Sequence, residues 1–211
     1  RNFTLPGTGM YKSDDAGQTW KHIGLEDSWA ICEIAIDPKN PDIVLVAVLG
    51  HLWSTNNNRG LFKTTNGGKS WQKVLYINDS TGANDIVISP ANPKIMYTSM
   101  WEMHPGIYGK NSGVYRSTDG GTTWKACKKG LPSGDKMGRI GVAVSHTNPL
   151  KAYAFVDNLH NPPGESAELY KTTDGGISWS KTHTAPFKLL SVIGWYFMDV
   201  FLNPTDDEEV Y

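Results

Sequence analysis

The sequence predicts an all-β protein built from repeated four-stranded antiparallel sheets, and three observations carry that expectation. One eight-residue phrase recurs four times, at residues 13–20, 64–71, 117–124 and 172–179, and each copy ends on tryptophan. The steps between those tryptophans are 51, 53 and 55 residues, the period of a repeat architecture. A proline-centred turn keeps phase with it, at residues 37–42, 89–94, 145–150 and 202–205. Finally, 22 glycines and 12 prolines among 211 residues punctuate short apolar runs, with no stretch of helical periodicity, which is the pattern of closely spaced strands.

The elements follow in order. Short alternating or apolar runs precede each proline turn, at 32–36, 85–88, 140–144 and 195–201, and form a first strand of each unit. Asn-Pro turns reverse the chain into second strands at 43–48, 95–100 and 152–156. Third strands at 60–63, 113–116 and 168–171 run into the repeated phrase, and fourth strands at 71–76, 124–128 and 179–182 start on its tryptophan. Sheets of four strands set radially about an axis form a β-propeller, which protects strand edges by repetition. The expected units are a partial blade 1–28, blades 29–78, 83–130 and 137–184, and a partial blade 195–211. The chain is thus expected to be one propeller segment of about four blades, part of a larger propeller, although pairing of the two half blades into a closed four-bladed ring is also open.

The repeated phrase explains itself chemically. Asp15, Asn66, Asp119 and Asp174 occupy one position in it, where a short polar side chain accepts from backbone N–H groups just ahead while glycine supplies left-handed backbone. Trp20, Trp71, Trp124 and Trp179 then cover the turn with a large apolar face. These carboxylates are expected to be structural, since a catalyst is not needed four times at one spacing.

The phrase [Ser/Thr]-x-[Asp/Asn]-x-Gly-x-[Thr/Ser]-Trp resembles the Asp-box, or BNR repeat, of propellers such as sialidases, xyloglucan-processing endoglucanases, sortilin-like receptors and photosystem II assembly factors. Asn66 is a mild departure from the usual Asp. Stretches such as 34–42 with 49–53, 138–145 and 195–200 resemble the sortilin-like and bacterial BNR-repeat proteins labelled glycosyl hydrolase. That resemblance implies an extracytoplasmic protein (secreted, periplasmic or cell-surface) that binds peptide or glycan across its propeller face.

Composition narrows the partners. With 20 basic and 21 acidic side chains the formal charge is −1, which offers no cationic footprint for nucleic acid. No apolar run is long enough to span a bilayer. The six histidines show no paired ligand spacing, so neither metal nor other cofactor is expected. Cys32 and Cys127 are expected as buried free thiols on strands too far apart to bridge. Asn2 and Asn78 open glycosylation-type triplets, which at this chain length carry little weight.

Functional groups are expected in the long loops between second and third strands, because loops on a rigid scaffold carry function. Trp53, Arg59, Trp101 and Tyr108 lie there, and Arg139 stands nearer the channel; these five are the candidate ligand-binding residues. Sialidase chemistry is excluded: Arg1, Arg59, Arg116 and Arg139 are the only arginines, and Arg116 sits beside an Asp-box on the opposite face. A glycosidase needs two carboxyl groups set for inversion or retention. Asp85 and Glu102 are the weak catalytic candidates, with Glu33 and Asp157 also able to approach the channel mouth. Two functions follow, a non-catalytic recognition propeller binding peptide, glycan or neighbouring subunits, placed first, and a glycoside hydrolase, placed second.

Overall fold

The computed structural model describes residues 5–187, 194, 196 and 198–211. Among them are fourteen strands and a single 3-10 turn at Glu26–Ser28. A two-stranded ribbon comes first, β1 (Tyr11–Lys12) paired with β2 (Lys21–His22). Three four-stranded antiparallel sheets follow. The first is β3 (Ile31–Ile36), β4 (Val44–Val48), β5 (Gly60–Thr64) and β6 (Gln72–Leu75); the second is β7 (Thr81–Ile88), β8 (Met96–Glu102), β9 (Gly113–Ser117) and β10 (Lys125–Cys127). The third is β11 (Met137–Val144), β12 (Ala152–Asn158), β13 (Ala167–Thr172) and β14 (Ser180–Lys181). In each sheet the strands pair in sequence order, and the first strands lie side by side, β3 beside β7 and β7 beside β11. They therefore line the axis, and each fourth strand lies at the rim. A further hairpin starts beyond them, where Phe201 and Tyr211 exchange backbone hydrogen bonds of 2.9 Å.

The core sits between successive sheets. Leu45, Ala47 and Leu61 of the first meet Ile86, Met96 and Met100 of the second. Tyr97 and Val114 of the second meet Val142, Val156 and Trp179 near the third. Each blade thus buries its two faces against its neighbours. Trp71, Trp124 and Trp179 each directly precede a fourth strand and Trp20 directly precedes β2, but their burial differs. Trp179 is buried edge-on against Tyr97, whereas Trp20 is 62% exposed and donates its indole N–H to the Gly17 carbonyl of its own turn.

The Asp-box turns form as their chemistry dictates. Asp119 Oδ1 accepts the N–H groups of Thr122 and Thr123 at 3.0 and 2.9 Å. Asn66 keeps the same contact, accepting the Ser70 N–H at 3.0 Å, so amide and carboxylate build one turn. Two basic side chains staple neighbouring blades: Lys63 donates to the Gly120 carbonyl at 2.7 Å, and Arg116 to the Gly175 carbonyl. This structural use accounts for Arg116.

Three expectations need correction. The first strands begin earlier than 85 and 140, at Thr81 and Met137, because a bulge interrupts their alternation and hides the start. The second strand of the second sheet runs on to Glu102, which fixes the direction of Trp101. Both cysteines are free, but only Cys127 is buried; Cys32 lies exposed on β3. The triplet at Asn2 and the predicted strand residues Trp195 and Phe197 lie outside the described residues.

Candidate active site

The turns between first and second strands give a common register. The N–H groups of Asp37, Ser89, Ser145 and Asn203 donate across equivalent turns to the carbonyls of Ile43, Ile95, Lys151 and Glu209, at 2.9–3.0 Å. Four positions before each donor stand Glu33, Asp85, Gly141 and Asp199. Three of the four axial segments thus place a carboxylate at one level of the channel. Each of β3, β7 and β11 also carries an irregularity just before or at that level, between Ile31 and Glu33, Ala83 and Asp85, and Met137 and Ile140. Bulges of this kind re-aim side chains and recur beside active sites.

At the fourth position glycine is required by close approach. A Cβ on Gly141 would lie 2.0 Å from the Met198 carbonyl oxygen, so only glycine lets the segment bearing Asp199 lie against β11. The bulge on β11 supplies Arg139 instead. Its guanidinium donates to the Tyr196 carbonyl at 2.7 Å and pairs with Asp199 Oδ1 at 2.8 Å. Together these groups line a cavity of about 500 Å³ whose polar wall includes Glu33, Asp85, Arg139, His146 and Asp199.

Among the carboxyl groups lining this cavity, Asp85 is the perturbed one. Burial pushes its carboxyl up to about 6, the negative charges of Glu33 and Asp199 act in the same direction, and the Val142 N–H opposes them. That N–H donates to Asp85 Oδ2 at 2.8 Å and orients the side chain. A carboxyl group that titrates near neutrality inside a cavity with other carboxylates suits general acid catalysis. Among the described residues, no cluster of three metal-ligating side chains is present.

The structure separates the remaining sequence candidates. Glu102 does not reach this cavity: its Oε2 accepts the Asn111 backbone and side-chain N–H groups at 2.9 and 3.0 Å, closing a loop. Arg59 is 0% exposed, donating to the carbonyls of Leu49, His51 and Ser54. A guanidinium so occupied holds the loop and offers nothing to a ligand. Trp101 is 3% exposed, its indole N–H donating to the Ile107 carbonyl at 2.8 Å, so it is a core residue. Trp53 stands 61% exposed in its loop, and Tyr108 borders a second cavity. Asp85, Glu33 and Arg139 are the named residues that come together in the channel cavity, whereas Asp157 lines a different one. Asp199 was missed, and the signal for it was register: it stands four residues before Asn203 as Asp85 does before Ser89.

The model of the BNR/Asp-box repeat matches residues 11–22, 115–126 and 170–181. The chain carries BNR/Asp-box repeats on the fold of a propeller segment. The copy bearing Asn66 is outside those matches, yet it makes the same turn. Over 163 residues the chain is 31% identical to a xyloglucanase of Acetivibrio thermocellus, an alignment covering 63% of this chain and 18% of that protein. Over 216 residues it is 25% identical to a xyloglucanase of Hypocrea jecorina, covering 85% of this chain and 24% of the relative. The GH74 xyloglucanase structure from Xanthomonas campestris superposes with a TM-score of 0.68 at 18% identity, covering 96% of this chain and 32% of that one. The chain therefore spans about a fifth to a quarter of the length of these two relatives. Among the described residues, no helix is long and apolar enough to cross a membrane.

Proposed function

We propose that this Asp-box propeller segment forms part of a glycoside hydrolase that cleaves a β-glucan polysaccharide of the xyloglucan kind at the mouth of its channel. Of the two functions drawn from the sequence, the hydrolase is favoured over the sortilin-like recognition module. Its curated relatives include xyloglucanases, and two of the recognition residues, Arg59 and Trp101, are interior. The observation that carries the proposal is Asp85, a channel carboxyl pushed up to about 6 with Glu33 and Asp199 at its own level.

In the reaction Asp85, protonated, gives its proton to the glycosidic oxygen as the bond from that oxygen to the anomeric carbon breaks. Glu33 takes a proton from water, whose oxygen forms the new bond to the anomeric carbon. Arg139 holds Asp199 in an ion pair, and the pair positions the sugar without exchanging protons. A polymer of this size does not cross a membrane, so the proposal places the protein outside the cytoplasm. Incubating the intact protein with xyloglucan and assaying reducing ends tests it. Activity should fall as pH rises above about 6, where Asp85 loses its proton. Undiminished activity several units higher, or no new reducing ends at any pH, would overturn the proposal.

A further inference from the structure

Asp157 stands where the repeat places apolar side chains. Six residues beyond the turn acceptors Ile43, Ile95 and Lys151 come Leu49, Trp101 and Asp157. Leu49 and Trp101 share an apolar cluster with Met103. Asp157 is as buried as they are, 3% exposed, yet its Oδ1 has no hydrogen-bond partner. Burial raises its pKa, against a hydrogen bond from Ser166 that lowers it. Two glycines make room for the carboxyl: a Cβ on Gly138 or Gly194 would lie 2.6 or 2.4 Å from Oδ2. A buried acceptor left unpaired is destabilising, and departures from a local rule of this kind collect at binding sites.

The same side chain lines a cavity of about 550 Å³, separate from the channel and walled by Tyr108, Leu159, Pro162 and Pro163. Lys136 and His160 also border it, and the lysine disfavours a cationic ligand. Desolvated, the carboxyl group disfavours an anion. A neutral ligand remains, with an apolar face and a hydroxyl group to donate. We infer that this cavity seats a neutral sugar ring, with a ring hydroxyl donating to Asp157 Oδ1 and the C–H face packing on Tyr108. The inference rests on the polysaccharide reading above and adds a second sugar site beside the channel.

The test is calorimetric titration of cellotetraose and a xyloglucan heptasaccharide into the intact protein carrying Asp85→Asn, so that nothing turns over. Asp157→Leu, which restores the apolar repeat position, should weaken binding of one of these probes at least tenfold and raise the melting temperature. Tyr108→Ala, at a partly exposed site, should weaken the same probe and serves if Asp157→Leu misfolds. Unchanged affinity in both variants overturns the inference, as does a lower melting temperature for Asp157→Leu with affinity retained. The two proposals fail separately. Asp157-dependent binding without hydrolysis by the unmodified protein removes the hydrolase reading alone, and hydrolysis with Asp157-independent binding removes the second site alone.

Discussion

Replacing Asp119 with alanine removes the acceptor around which one Asp-box turn is built. Its carboxylate accepts the N–H groups of Thr122 and Thr123 at 3.0 and 2.9 Å, the Thr123 hydroxyl at 2.6 Å and the Ser117 hydroxyl at 2.7 Å. Four bonds at the net value of a protein hydrogen bond would total about 4 kcal/mol. The turn is solvent-exposed, so water replaces much of what is lost, and the expected cost is about 1–2 kcal/mol. For a chain of this size that lowers the melting temperature by roughly 3–6 °C. The Thr123 hydroxyl, with the backbone bonds, holds the carboxyl well below the usual range. Because the folded pKa is depressed, this stabilisation is complete above about pH 4, the unfolded value, and fades as pH falls below it. The gap between Asp119→Ala and the unaltered protein should therefore shrink in acid. Asp119→Asn, copying the turn at Asn66, should lose less than half as much. Thermal melts from pH 7 to pH 3 provide the assay. An alanine variant that melts with the unaltered protein at pH 7, or a gap that widens in acid, would refute the reasoning.

Other expectations follow from the same geometry. Arg59→Met leaves the carbonyls of Leu49, His51 and Ser54 without their donor and should cost about 2–4 kcal/mol in urea denaturation; an unchanged midpoint contradicts the buried clamp. Trp101→Ala should cost about 3–5 kcal/mol as a large core deletion, and a loss of glycan affinity without a stability change would return Trp101 to the ligand surface. Asp85 has a raised folded pKa, so its ionisation opposes folding as pH climbs from about 4 to about 6. Asp85→Asn should accordingly melt higher than the unaltered protein at pH 7 and level with it below pH 4; the reverse order would place a stabilising partner on Asp85.

The architecture was legible because its determinants are local. An Asp or Asn, a glycine and a tryptophan at fixed spacing specify a turn, and Asn-Pro specifies another, so the four-strand unit could be laid out before any contact was known. Strand starts were less legible, since the bulges before Asp85 and Ile140 break the alternation that marks a strand. The site was half legible. Asp85, Glu33 and Arg139 stood out as charges on axial strands, whereas Asp199 became their companion only through register counted from the turns. Arg59 follows Asn56, Asn57 and Asn58, as a surface residue would, and nothing local shows that three carbonyls converge on it. Trp101 read as a loop aromatic because β8 was expected to end at residue 100, one residue before it.

The central claim is that a channel carboxyl near neutrality cleaves a β-glucan, and Asp85→Asn tests it most directly. Turnover of xyloglucan by the intact protein and by the variant should be measured with the fold checked by melting. The account predicts hydrolysis by the unaltered protein and a loss of kcat of about a hundredfold or more in the variant, the share of one general acid, with oligosaccharide still bound. Turnover in Asp85→Asn equal to that of the unaltered protein would contradict it.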